Sequence, residues 1–190
     1  MMWRKSRQTP AVSLATASLV PEVRFTLTEW KKVVKEHKLD CVLIGGVALS
    51  FYVKPRYTED LDFLFLHRSA IPAAVNGFKR IRPGAFQENK THIPVEVVTP
   101  TSFYPELPID LVAKVLDTAI IVDGLKVASR EGMIALKLCS AEKPDRYHKD
   151  VADLEGLVRS NMSVTMQDWP LSQDNRDLFA KVKRDVQLWT

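Results

Sequence analysis

Apolar residues recur at helical spacing through Trp30, Val33 and Val34, and Thr28 stands where an N-cap belongs, which predicts a helix over about 29–38. The run "CVLIG" reads as a buried strand ending at Gly45 and Gly46, and "GVALSFYV" as a short helix that starts on those glycines. Pro55 closes that helix, because the residue before a proline is pushed out of the α region. "DLDFLFL" reads as a second strand, 69–78 as a helix, and Pro83-Gly84 as the centre of a loop. "IPVEVVTP" is a third short strand, bounded by prolines, with Glu96 in its middle. In "TAIIVDGLKVAS", Asp123-Gly124 lies between two alternating runs, the mark of a tight hairpin. Ser129 caps a helix reaching about residue 141, and another helix covers about 148–158. A final amphipathic helix places Leu178, Phe179, Val182 and Val186 on one face.

Within this pattern the polar exceptions carry the chemistry. Asp60 and Asp62 occupy alternate positions of a strand, so both carboxylates point to one face while Glu59, Leu61 and Phe63 point to the other. Glu96 adds a third acid inside a short apolar strand. Clustered carboxylates repel one another unless a positive group sits between them. A divalent cation resolves that conflict, and oxygen ligands without His or Cys select a hard ion, magnesium or manganese. Gly45 and Gly46 sit where a strand becomes a helix, a place where backbone N–H groups can meet a phosphate with no side chain in the way. Taken singly, the glycines also read as a tight turn, the aspartates as a solvated edge and Glu96 as an exposed strand residue. Their order along the chain narrows the choice: strand, two glycines, short helix, Asp-x-Asp strand, third acid.

The rest of the composition changes this little. A chain of 190 residues with 46% hydrophobic and 26% charged content fits one soluble domain, and no apolar run is long enough to span a membrane. A cytoplasmic setting is expected, with Cys41 and Cys139 as buried free thiols. The net charge of +4 suits a polyanionic partner but is too mild to identify one. The first 24 residues read as a flexible tail, basic and free of acids through residue 20. His92 and His148 have no partner in the pattern.

The set Gly45, Gly46, Arg56, Thr58, Asp60, Asp62 and Glu96 resembles the motifs of the DNA polymerase β-like nucleotidyltransferases. The stretch "RYTEDLDF" is similar to the AbiEii-type branch and its small nucleotidyltransferase relatives. Downstream, Lys137, Arg146, Lys149, Asp150 and Asp153 are similar to that branch's helix-borne lysine, arginine and Lys-Asp-x-x-Asp block. The resemblance covers about residues 25–160 and leaves 161–190 as a C-terminal helical extension. It implies an α+β, nucleotidyltransferase-like fold: a mixed β-sheet flanked by helices, with a C-terminal helical segment. It further implies transfer of a nucleoside monophosphate from a nucleoside triphosphate by a two-metal mechanism, with Mg2+ or Mn2+ held by Asp60, Asp62 and Glu96. Gly45, Gly46, Arg56, Thr58 and Lys137 would contact the nucleotide, and Arg146, Lys149, Asp150 and Asp153 would serve substrate or structure. Glu96 departs from the family's usual aspartate by one methylene; Asp110 or Glu106 is next in line should the third acid lie elsewhere. The acceptor stays open among a small molecule, an RNA end and a protein, and an antitoxin partner is implied by the branch. A catalytically silent nucleotide-binding or interaction module on the same fold is the alternative.

Overall fold

The computed structural model describes residues 19–54, 57–103 and 106–188. Its first helix, α1 (Pro21–Glu36), opens on a proline at a first-turn position, where a missing N–H costs nothing. The helix therefore starts well before the predicted position. Thr28 is not its cap; it lies mid-helix and donates back to the Arg24 carbonyl at 2.9 Å. Trp30 is fully buried and touches the rings of Phe63, Phe78 and Phe86.

Two central strands follow, β1 (Cys41–Ile44) and β2 (Leu61–Phe65), separated by the five-residue helix α2 (Gly45–Leu49). The segment predicted as a helix over 69–78 is not one. Pro72 and Gly77 interrupt it, a single 3₁₀ turn spans Arg68–Ala70, and the chain enters a hairpin of β3 (Phe78–Arg82) and β4 (Ala85–Glu88). Pro83-Gly84 is the hairpin's turn, with Gly84 at φ +81°. Strand β5 (Pro94–Val98) matches the expected third strand. Helix α3 (Ile109–Asp117), which the pattern reading did not pick out, buries Leu111, Val112, Val115 and Leu116.

The expected hairpin is β6 (Ile120–Val122) and β7 (Leu125–Val127), turning through Asp123 and Gly124, both with positive φ. Ser129 caps α4 (Arg130–Ser140) by accepting from the Gly132 N–H at 3.1 Å. Helices α5 (Tyr147–Arg159) and α6 (Gln173–Leu188) complete the described chain. Helix α6 buries Phe179, Val182 and Val186 in the same core that includes Leu19 and Val23 near the other end.

The strands form one mixed seven-stranded sheet in the order β3-β4-β5-β2-β1-β7-β6. Strand β2 is central, antiparallel to β1 and parallel to β5. Phe63 faces α1 through Trp30, so the alternate residue, Asp62, faces the opposite side of the sheet. That side looks toward α4, whose Met133, Leu136 and Lys137 line a cleft with Asp62. Among the described residues, no helix is long and apolar enough to cross a membrane.

Candidate active site

Strand register builds the acidic centre. Asp62 lies opposite Ile44 on β1 and opposite Glu96 on β5, so Asp62 and Glu96 are lateral neighbours on one face. Asp60, just before β2, shares that face. Its Oδ1 accepts from the Thr58 hydroxyl at 3.0 Å. The acids line an open cleft of about 430 Å³ together with Gly45, Arg68, Arg82, Lys137, Lys143 and Arg146. An adjoining lobe of about 420 Å³ shares Gly45, Asp60, Asp62, Lys137 and Arg146, and adds Gly46, Thr58 and Lys149.

Crowding shows in the protonation of Asp62. Burial first, then the negative charges of Asp60 and Glu96, push its carboxyl up to about 6, against the opposing pull of Lys137 and Arg146. A centre of oxygen donors with unrelieved negative charge fits a hard divalent cation. The three acids are nevertheless not gathered into a finished cage: among the described residues, no three His, Cys, Asp or Glu side chains form a group that would hold a metal ion. Glu96 is turned instead toward Arg82, whose Nη2 donates to both carboxylate oxygens at 2.7 Å.

The glycines have a local reason to be glycines. A Cβ on Gly45 would stand 1.8 Å from Asp62 Oδ2, and its φ is +68°. A Cβ on Gly46 would stand 2.7 Å from the Thr58 hydroxyl. The turn is thus fitted against the acid-bearing segment, and α2, at five residues, is too short to bring much dipole to a phosphate. Gly45→Ala is expected to destabilise the chain by about 1–3 kcal/mol and to displace Asp62. Urea unfolding and Mn2+ titration check both parts; unchanged Mn2+ binding would show that Asp62 does not depend on this glycine for its place.

Lys137 is buried on α4, with Nζ 2.6 Å from Asp150 Oδ1 and 2.6 Å from Asp153 Oδ2 on α5. Arg146 reaches the other Asp150 oxygen at 3.2 Å. Burial alone would raise the Asp150 carboxyl, yet Lys137, Ser140 and Arg146 hold it below its ordinary range. This network joins α4 to α5 and sets Lys137 and Arg146 at the wall of the cleft. Lys149 is exposed on the neighbouring lobe. Arg56 lies outside the described residues. Asp110, in the first turn of α3, accepts from the adjacent Leu111 N–H, away from both lobes. The sequence reading missed Arg82, Arg68 and Lys143. The signal available for Arg82 was the Pro-Gly turn, which places the residue before it at a hairpin end.

Across the length of the chain, one solved structure with a similar fold is an antigenic nucleotidyltransferase-like protein from Paracoccidioides brasiliensis. It is 15% identical, with a TM-score of 0.55 over 92% of this chain and 88% of that one. The chain has a nucleotidyltransferase-like fold. Residues 31–84 match the family model described as "Nucleotidyl transferase AbiEii toxin, Type IV TA system". This bears out the resemblance drawn from the motifs. The matched segment of the nucleotidyltransferase-like chain includes Gly45, Gly46, Asp60 and Asp62 and ends before Glu96. JHP933 from Helicobacter pylori overlaps 90% of this chain and 96% of its own at 16% identity, with a TM-score of 0.39. No curated protein matches the sequence.

Proposed function

We propose that this chain transfers a nucleoside monophosphate from a nucleoside triphosphate to an acceptor. The acceptor oxygen bonds to the α-phosphorus, the α–β phosphoanhydride breaks, pyrophosphate leaves, and the acceptor loses a proton. One observation carries the reading: Asp62 and Glu96 sit side by side in strand register, next to Asp60, in a cleft rimmed by cations. Bound magnesium or manganese would neutralise triphosphate charge and acidify the attacking hydroxyl. Asp60 and Asp62 would hold two such ions, with Thr58 fixing the orientation of Asp60. Glu96 would complete the ligand set or take the acceptor's proton. The backbone at Gly45 and Gly46 would approach the triphosphate, and Arg146, Lys149 and Lys137 would balance its charge. Arg56 keeps this role on the motif alone.

The family's printed description as a type IV toxin supports an antitoxin partner and a place in a toxin–antitoxin module. The acceptor class stays open among a small molecule, an RNA end and a protein. The test is incubation with each α-labelled triphosphate plus Mg2+ or Mn2+, followed by identification of what carries the label. Wild type should transfer label and Asp60→Asn should not; absence of any labelled product with every triphosphate and acceptor class would sink the reading. The silent-module alternative draws on one observation, that Arg82 engages both oxygens of Glu96. Label transfer by wild type decides against it.

A further inference from the structure

Glu96 is the acid with a different neighbour. Its strand register aims it at the crowded centre beside Asp62, yet its carboxylate meets a guanidinium. Arg82 reaches it from the end of edge strand β3, where a register shift between Arg80 and Arg82 breaks the regular ladder. The Arg82 side chain is 60% exposed and projects into the cleft from its rim. The contact uses one nitrogen for both oxygens, not the two-nitrogen fork that makes arginine–carboxylate pairs strong. An exposed pair of this kind contributes little stability, so it can exchange.

Both groups have a better partner in reach. A phosphate offers the guanidinium the planar two-point contact that Glu96 does not. A divalent cation offers Glu96 twice the charge. Resting on the reading of this cleft as a triphosphate and metal site, we propose that Arg82 is an exchangeable counter-ion. In the substrate-free protein it occupies Glu96 and opposes cation binding there; when a triphosphate enters, the guanidinium moves to phosphate and Glu96 is freed for the metal centre. Arg82 thereby couples anion binding to cation binding, and the coupling is reciprocal. It is a positioning residue acting through Glu96, distinct from the acids themselves.

The test measures binding, without turnover. With Mn2+ as the only ligand, Arg82→Gln should bind the ion up to about fivefold more tightly than wild type, the size expected for losing a weak exposed pair. With inorganic tripolyphosphate in EDTA, Arg82→Gln should bind more weakly than wild type. Glu96→Gln should bind tripolyphosphate more tightly, and most of that gain should vanish in the Arg82→Gln/Glu96→Gln double variant. A gain of equal size in both backgrounds would overturn the proposal, because simple removal of a negative charge would then explain it. Equal or weaker Mn2+ binding by Arg82→Gln would overturn it too. Should Arg82→Gln fail to fold, Arg82→Lys takes its place: tighter Mn2+ binding than wild type supports the exchange and unchanged binding refutes it. If neither wild type nor any Arg82 variant binds Mn2+, the metal-site reading itself falls and this inference with it.

Discussion

Asp62→Asn is expected to cut label transfer on the order of 10²–10³-fold and, in EDTA at pH 7.5, to melt higher than wild type. The loss follows from removing a carboxylate from the acidic centre. The gain follows from the state of Asp62 in the metal-free protein. Burial, then Asp60 and Glu96, raise its carboxyl from 3.8 to about 6. Across that interval the folded chain holds a proton that the unfolded chain releases, so stability falls as pH rises and the full cost is present above the folded value. Asparagine carries no such cost. The metal-free wild type should therefore lose melting temperature between about pH 4 and 6, and Asp62→Asn should flatten that slope. At pH 7.5 the difference should be about 6–12 °C, the effect of roughly 3 kcal/mol in a chain of this length. Mn2+ should raise the wild-type midpoint and leave that of Asp62→Asn nearly unmoved. An Asp62→Asn protein that melts below wild type in EDTA would refute the crowding argument.

Lys137→Met should be the most damaging single substitution in the cleft wall. The lysine ammonium is buried between Asp150 and Asp153, and Asp150 is fully buried. Removing one partner from a buried ion network strands the charges left behind, at a cost of about 3–5 kcal/mol. The melting temperature should fall by roughly 10 °C. Neutralising the partners in Lys137→Met/Asp150→Asn/Asp153→Asn should recover a large part of the loss, since no stranded carboxylate remains. A Lys137 that served chiefly as a phosphate ligand would behave differently: Lys137→Met would melt normally and lose only triphosphate affinity. The two outcomes separate a structural lysine from a substrate lysine.

The acidic centre was legible because its geometry is a matter of alternation. Once "DLDFLFL" is a strand, the shared facing of Asp60 and Asp62 follows from a period of two, while the place of Glu96 beside them is set by the pairing of β2 with β5. Hairpin β6–β7 was legible through Asp123-Gly124, and α4 through Ser129, each a local signal with a local cause. The start of α1 was misread because Thr28 resembles a cap, while Pro21 at the first turn was the true marker. The stretch 69–78 has enough alanine and apolar residues to suggest a helix, but Pro72 and Gly77 break it. That error hid β3 and β4, and with them Arg82. What could not be read at all was pairing across the fold. Nothing in the spacing of Lys137, Asp150 and Asp153 says that they meet one another and not a substrate, and nothing local says that Gly45 leaves room for an Asp62 oxygen.

The place of each residue in the sheet also sorts the site by how readily it opens. Asp62 and Glu96 lie on β2 and β5, each hydrogen-bonded on both sides within the sheet. Their backbone amides are expected to be among the slowest of the described residues to exchange with solvent. Arg82 lies on β3, an edge strand whose residues after Phe78 are exposed. An edge of this kind is expected to open at a lower free energy than the central strands. The Arg82–Glu96 contact therefore spans a boundary between two levels of local stability: its acid is anchored to the last part of the molecule to open, its base to one of the first.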